Sequence, residues 1–328
     1  MKKLLVKMIY VREKEMEDIR RLVDGVYEPV FYSKDWAEEY YHHQLAEAEI
    51  ILGEPKAADL AYCKNLKLMQ ITWSGVDYYV NSGMFPKDAV LCSMTGEYGK
   101  ILSDYAVGMV HALCFTLPHY VRNMEEHKWH MDNYCKTLED CSLLIVGAGD
   151  IGRSVAEKLR PSVKEIVGVR RTAGQLGGAF DAAFTMDKLE ELLPKADVVV
   201  LSLPGTSATR ELFDERMLRL MKKDAVLVNV GRGNVLKLDD LAKVMDEGWF
   251  WGVGIDVSDP EPLPPEHPLW EQKRFFITPH IAGNAYQIDS GTDKRIKARC
   301  YRNIRSFTEG KPLLSVADFG TGYAKKGI

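Results

Sequence analysis

Cys141-Ser142-Leu143-Leu144-Ile145-Val146-Gly147-Ala148-Gly149-Asp150-Ile151-Gly152 is the stretch that decides how the chain is read. The apolar run 143–146 meets Gly147, Gly149 and Gly152 in the spacing G-x-G-x-x-G, and a helix-forming segment, 150–159, follows. Strand, glycine turn and helix together describe a dinucleotide site. Gly147 permits the tight turn, and Gly149 lets backbone N–H groups approach a pyrophosphate. Gly152 lets the helix pack on the strand, and the helix N-terminus offers positive charge to the phosphates. The alternative is a glycine turn in an ordinary βα unit; the downstream residues decide against it.

Beyond the turn the βα rhythm continues. Segments 165–169, 198–203, 225–230, 252–255 and 276–278 read as strands. They end at Pro204-Gly205-Thr206, Gly231-Arg232-Gly233, Asp256 and Pro279-His280. In open parallel sheets ligands sit outside the carboxyl ends of strands, and every chemically interesting residue lies at such an end. Before the turn, 4–11, 28–31, 50–52, 66–72 and 89–92 read as strands, with helices at 13–22 and 36–48. This alternation implies parallel strands with crossover helices, but this first unit has no glycine-rich phosphate turn. Segment 101–122 is predicted as one long apolar helix, buried between domains and against a second subunit. A last helix, 285–307, carries the chain back to the first domain.

Composition bounds the function. At 328 residues two domains are expected, and 46% hydrophobic with 27% charged residues describes an ordinary soluble protein. A net charge of −4 gives no basic footprint for nucleic acid, and no apolar run is long enough to span a bilayer. The start, Met1-Lys2-Lys3-Leu4-Leu5-Val6-Lys7, reads as a first strand and not a signal peptide. Cys63, Cys92, Cys114, Cys135, Cys141 and Cys300 are scattered without a C-x-x-C pair, so thiols in a reducing cytoplasm are expected, not disulfides or a metal site.

The cofactor is read from the second strand of the nucleotide unit. An NAD-type site places a carboxylate about twenty residues past the glycines, on the ribose hydroxyls. Here that place holds Val169-Arg170-Arg171-Thr172. Two guanidinium groups and a hydroxyl suit a 2′-phosphate, so NADP(H) is predicted over NAD(H).

With these motifs the chain resembles the D-isomer-specific 2-hydroxyacid dehydrogenases, a family that includes glyoxylate/hydroxypyruvate reductases, glycerate dehydrogenases and phosphoglycerate dehydrogenases. The resemblance rests on Ser74-Gly75-Val76-Asp77, the glycine turn, Asn229-Val230-Gly231-Arg232-Gly233, Asp256-Val257 with Glu261-Pro262-Leu263, and Thr278-Pro279-His280-Ile281-Ala282-Gly283. It implies an α/β chain of two Rossmann-like, doubly wound parallel-sheet domains. The dinucleotide domain, 103–284, is inserted into a discontinuous substrate domain, 1–102 with 285–328. A homodimer built on the nucleotide domain is implied as well.

Hydride transfer to a 2-keto acid needs a proton donor for the carbonyl oxygen and a cation for the carboxylate. His280 ends a predicted strand in a proline-preceded turn, and a histidine, the residue type that changes charge near neutral pH, suits the donor. Arg232, between glycines, suits the carboxylate and the carbonyl. By analogy Glu261 hydrogen-bonds His280 and favours its imidazolium form; Asp259 is the local competitor. The resemblance further implies substrate contacts from Ser74, Gly75 and Val76. It implies cofactor contacts from Gly147, Gly149, Asp150, Ile151, Gly152, Leu203, Pro204, Thr209, Val230, Gly231, His280 and Gly283, with Thr206 beside them. Asp256 resembles the residue that holds the nicotinamide carboxamide. Trp73, Tyr98 and Trp129 are readable either as pocket walls or as core and interface aromatics. A small pocket favours glyoxylate or hydroxypyruvate. Lys100 is the one evident cation near 74–100, which weighs against a phosphorylated substrate, as does the lack of an added regulatory domain. The competing readings are an NAD-linked phosphoglycerate or D-lactate dehydrogenase and a non-catalytic, corepressor-like nucleotide sensor.

Overall fold

The computed structural model describes residues 1–131, 135–172, 174, 176–283 and 287–324. The chain opens with β1 (Lys2–Lys7), α1 (Glu13–Leu22), β2 (Tyr27–Phe31), α2 (Glu38–Glu47), β3 (Ala48–Gly53), β4 (Leu68–Gln70), α3 (Asp77–Val80) and β5 (Val90–Cys92). Then follow α4 (Gly99–Cys114), α5 (Leu117–Glu125), β6 (Ser142–Val146), α6 (Asp150–Leu159), β7 (Glu165–Arg170), β8 (Ala182–Thr185) and α7 (Leu189–Leu192). Next come β9 (Val198–Leu201), α8 (Glu215–Leu220), β10 (Val226–Asn229), α9 (Leu238–Asp246), β11 (Gly252–Ile255) and β12 (Phe275–Ile277). The chain closes with α10 (Gly291–Thr308) and a short hairpin, β13 (Ala317–Asp318) and β14 (Tyr323–Ala324).

Two compact units result: Met1–Glu97 with Gln287–Ile328, and Tyr98–Tyr286. The limits read from the sequence lie at 102/103 and 284/285. The first limit falls earlier because α4 belongs to the second unit from its first turn: Gly99 lies against the Asp150 carboxylate, and Ala106, Met109, Val110 and Leu113 share a core with Leu143, Ile145, Val155 and Ala156.

The first unit holds a parallel sheet in the order β2-β1-β3-β4-β5. Leu4, Leu5 and Val6 of β1 are all buried, as expected of a central strand covered on both faces. Pro29 donates no hydrogen bond and sits in β2, at the sheet edge.

The second unit holds a parallel sheet in the order β12-β11-β10-β9-β6-β7-β8. Every residue of β9, β10 and β11 is buried. The order reverses at β6, which pairs with both β7 and β9, so the glycine turn leaves the sheet at its switch point. The edge strand β8 is not foreseen in the sequence, because its Ala-Ala-Phe-Thr run is only partly buried and carries no apolar pattern.

The single helix expected over 101–122 is broken. Helices α4 and α5 meet at 69°, with Thr116 in the left-handed region at φ 52°. Pro118 explains the break: its ring would clash with the carbonyl four residues back, yet it is tolerated in the first turn of a new helix. No single helix among the described residues is long and apolar enough to cross a membrane. The last helix starts at Gly291, where the Ser290 hydroxyl caps Asp293 N–H at 3.3 Å, and not at 285, which lies outside the described residues.

Candidate active site

The glycine turn assigns each glycine its own reason. Gly147 takes φ +104°, and a Cβ there would fall 2.7 Å from the Ser202 carbonyl oxygen. A Cβ on Gly152 would fall 2.4 Å from Gly147 O and 2.6 Å from Ile145 Cγ2. The protein itself requires these two glycines. A Cβ on Gly149 would meet nothing within 4 Å, so its bare face is open to a ligand. That open face, at the first turn of α6, fits the pyrophosphate of a dinucleotide. Ile151 faces the core beneath the same turn.

The flanking elements complete the cradle. Arg170 ends β7, the strand paired with β6, and Arg171 and Thr172 follow it, both exposed. After β9, Leu203 is buried and the Thr209 hydroxyl closes the next turn, donating to Pro204 O at 2.5 Å and accepting from Thr206 N at 2.9 Å. After β10, Val230 is buried and Gly231 N–H donates to Asn229 Oδ1 at 3.0 Å. Asn229 Nδ2 donates to Arg232 O at 3.1 Å. Asn229, fully buried, thus fastens the arginine turn from beneath. Its position as the last residue of a buried apolar strand was the available signal.

The glycines beside Arg232 are required by packing. A Cβ on Gly231 would lie 2.4 Å from Leu203 O, and one on Gly233 would lie 1.9 Å from Ser258 O. The backbone of Arg232 is threaded between two neighbouring loops, and its Nη1 donates to Gly231 O at 3.1 Å.

Glu261 and His280 meet as the resemblance implies. Glu261 Oε2 stands 3.0 Å from His280 Nδ1, and its Oε1 accepts from Ser258 N at 3.1 Å. The two side chains are 41% and 45% exposed, open enough to meet a small molecule. His280 holds φ 53°, a left-handed conformation that costs energy for a residue with a Cβ.

Asp256 supplies what holds that conformation. Its carboxylate is buried and accepts from Thr278 Oγ1 at 2.7 Å, Ile281 N at 2.9 Å and Ala282 N at 2.9 Å. Its carbonyl accepts His280 N–H at 2.8 Å. A clamp on the histidine loop is a role the sequence reading did not anticipate. Arg232, Glu261 and His280 therefore follow three neighbouring strands, β10, β11 and β12, at their carboxyl ends.

The aromatics separate. Tyr98 is buried against Gly283, 3.4 Å from where a Cβ would stand, and is core. Trp129 is fully exposed. Trp73 stacks on Tyr79 in the first unit, with ring centroids 6.4 Å apart. Ser74, Gly75 and Val76 also lie in the first unit, in the loop after β4. There Ser74 Oγ donates to Met94 O at 3.1 Å, and Met94 N donates to Trp73 O at 3.0 Å. Val76 is buried at the start of α3.

Comparison with known proteins agrees with this geometry. Residues 107–282 match the model of the D-isomer specific 2-hydroxyacid dehydrogenase NAD binding domain. An uncharacterized protein in the proB 3′ region of Corynebacterium melassecola is 34% identical over 82% of this chain and 87% of its own. A glyoxylate reductase of Thermococcus kodakarensis is 34% identical over 59% of this chain and 58% of its own. The crystal structure of a D-isomer specific 2-hydroxyacid dehydrogenase family protein from Aeromonas salmonicida superposes with a TM-score of 0.83, at 28% identity, covering 97% of this chain and 99% of that one. The chain belongs to the D-isomer-specific 2-hydroxyacid dehydrogenase family of oxidoreductases.

Proposed function

We propose that the protein reduces a small 2-keto acid to the D-2-hydroxy acid with NADPH. The observation that carries this reading is the Glu261–His280 pair, 3.0 Å apart at the carboxyl end of the sheet that also carries the glycine turn. The glycine turn and Arg170 to Thr172 would hold the dinucleotide, which supplies the hydride when bound. His280 Nδ1–H donates to Glu261, which leaves Nε2 facing away from the carboxylate; in the imidazolium form the Nε2–H proton goes to the carbonyl oxygen as it gains charge. The Glu261 carboxylate steadies the imidazolium before transfer. Arg232 grips the substrate carboxylate and draws charge onto the carbonyl oxygen.

NADPH is favoured over NADH by the two guanidinium groups at the end of β7, where an NAD site would place a carboxylate. A glyoxylate reductase among the relatives supports a small substrate such as glyoxylate or hydroxypyruvate. The reading includes a homodimer. Helix α5 buries none of its residues, and Phe115, Leu117, Val121 and Met124 expose a continuous apolar face suited to a second copy. Five of the six thiols are buried and unpaired by disulfides, which suits work in the cytoplasm. The charge of −4 gives no basic footprint for nucleic acid, and no single helix among the described residues is long and apolar enough to cross a membrane.

The cofactor assignment is tested by Arg170→Ala. KM for NADPH should rise at least tenfold more than KM for NADH; equal effects on the two would refute it.

A further inference from the structure

Glu261 sits at one end of a stiff loop, and a histidine holds the other end. From Glu261 the chain runs Pro262-Leu263-Pro264-Pro265-Glu266-His267-Pro268. Each proline fixes its own φ at about −65° and restricts the residue before it, so a shift at one end of the loop is passed along and not absorbed. At the far end His267 caps the turn Pro268–Glu271. Its Nδ1 accepts from Leu269 N–H at 3.2 Å, a place usually filled by Ser, Thr, Asp or Asn. Its Nε2 stands 3.4 Å from Asp239 Oδ1, in the first turn of α9, which turns the ring so that Nδ1 faces the cap. The ring is only 11% exposed. The capped turn grips the loop in its turn. Pro264 O accepts from His267 N at 3.0 Å and from Trp270 Nε1 at 2.8 Å, and His267 O accepts from Trp270 N at 3.1 Å.

We propose that His267 is a positioning residue for the reduction: by capping the turn that grips Pro264, it holds Glu261 in line with His280. The inference rests on the reading that Glu261 and His280 move the proton. Apolar packing alone does not set this alignment. Leu263 and Leu269 are buried in one core and keep the loop down on the domain, but burial is not directional. Hydrogen bonds are, and the ones that fix the direction of the loop run from the His267 ring through Leu269 and Trp270 to Pro264. At the near end Glu261 is tied only to the start of its own loop, where Ser258 N donates to Oε1 at 3.1 Å. Without the cap the turn loses its acceptor for Leu269 N–H, Trp270 loosens from Pro264, and the prolines carry the shift to Glu261. A misplacement of about 1 Å is enough to slow a reaction about 100-fold, so a small shift of the carboxylate away from the ring is felt in turnover.

The measurement is kcat, with KM for NADPH, on the small 2-keto acid that the wild type turns over fastest. It is made on the full-length protein and on His267→Leu, His267→Ala and His267→Asn, each alone and combined with Glu261→Gln. Leu and Ala both remove the acceptor, Leu keeping the bulk, so either serves if the other fails to fold. Asn places its Oδ1 where the ring has Nδ1. In H267L and H267A kcat should fall about fivefold or more, with KM for NADPH changed less than about twofold. H267N should return kcat to within about twofold of the wild type. Once Glu261 is already Gln, H267L should lower kcat by less than about a further twofold, because the histidine acts through that residue. The same loss with and without Glu261, or an H267N as slow as H267L, would make His267 a prop of the fold alone and overturn the inference. So would an unchanged kcat in the variants that lack the acceptor. A wild type inert toward every 2-keto acid would instead overturn the reductase reading, and this inference with it.

Discussion

Asp256 and His280 are bound to each other by the backbone, not by their side chains: His280 N–H donates to the Asp256 carbonyl at 2.8 Å. The Asp256 carboxylate meanwhile takes Thr278, Ile281 and Ala282. One buried acid therefore brackets the histidine on both sides and keeps it at φ 53° without touching its ring. Asp256→Asn replaces one carboxylate oxygen by a donor, which then faces the N–H of either Ile281 or Ala282. It should cost about 1–3 kcal/mol of stability. Turnover should fall with little change in cofactor affinity. Thermal unfolding and kcat, measured together, check this; an unchanged melting temperature would contradict it.

Glu261 acts directly on the ring. Glu261→Gln keeps a hydrogen-bond partner for Nδ1 but removes the charge that favours the imidazolium. The turnover number should drop by about 10- to 100-fold, part of the 10²–10⁴ available from general acid catalysis. Turnover equal to that of the wild type would argue that Glu261 only spaces the loop.

The glycine turn allows binding to be separated from folding. Gly149→Ala should fold with near wild-type stability, since a Cβ there meets nothing within 4 Å, yet lose most of its affinity for the dinucleotide. Gly152→Ala should instead destabilise the protein, because its Cβ would collide with Gly147 O at 2.4 Å. Dinucleotide titration of both variants beside thermal melts distinguishes the two cases. Full dinucleotide affinity in G149A would contradict the close approach of the ligand.

Acid sensitivity should centre on the first unit. The Arg12 guanidinium, hydrogen-bonded to Glu15 and to Asp289, holds the buried Glu15 carboxyl well below the usual carboxylate range, and Lys297 at 2.8 Å adds to this. A depressed folded-state value means stability is complete above the unfolded value of about 4.3 and drains away as pH falls toward the folded one. Glu15→Gln should therefore be less stable than wild type at neutral pH, with the difference shrinking below about pH 4. Urea midpoints measured across that range check the sign.

Much of the site was legible because its chemistry is written locally. The glycine spacing, Arg232 between glycines and His280 after a proline each occupy a few consecutive residues, and helices 13–22 and 150–159 coincide with α1 and α6. What stayed hidden depends on residues that meet only after folding. Asp256 reads as a strand-end carboxylate until β12 is laid beside β11 and brings 278–282 onto it. Gly231 and Gly233 read as room for a side chain, whereas Leu203 and Ser258 leave no room for a Cβ. The break before α5 was written in Pro118, but the continuous apolar composition of 101–122 outweighed it.

The most direct test of the catalytic assignment is NADPH oxidation followed spectrophotometrically with glyoxylate, hydroxypyruvate, pyruvate and branched 2-keto acids, for the wild type and for His280→Ala. The wild type should turn over at least one of the small acids, and H280A should lose about 10²–10⁴ of that turnover while still binding NADPH. Turnover by H280A equal to that of the wild type would show that the proton comes from elsewhere.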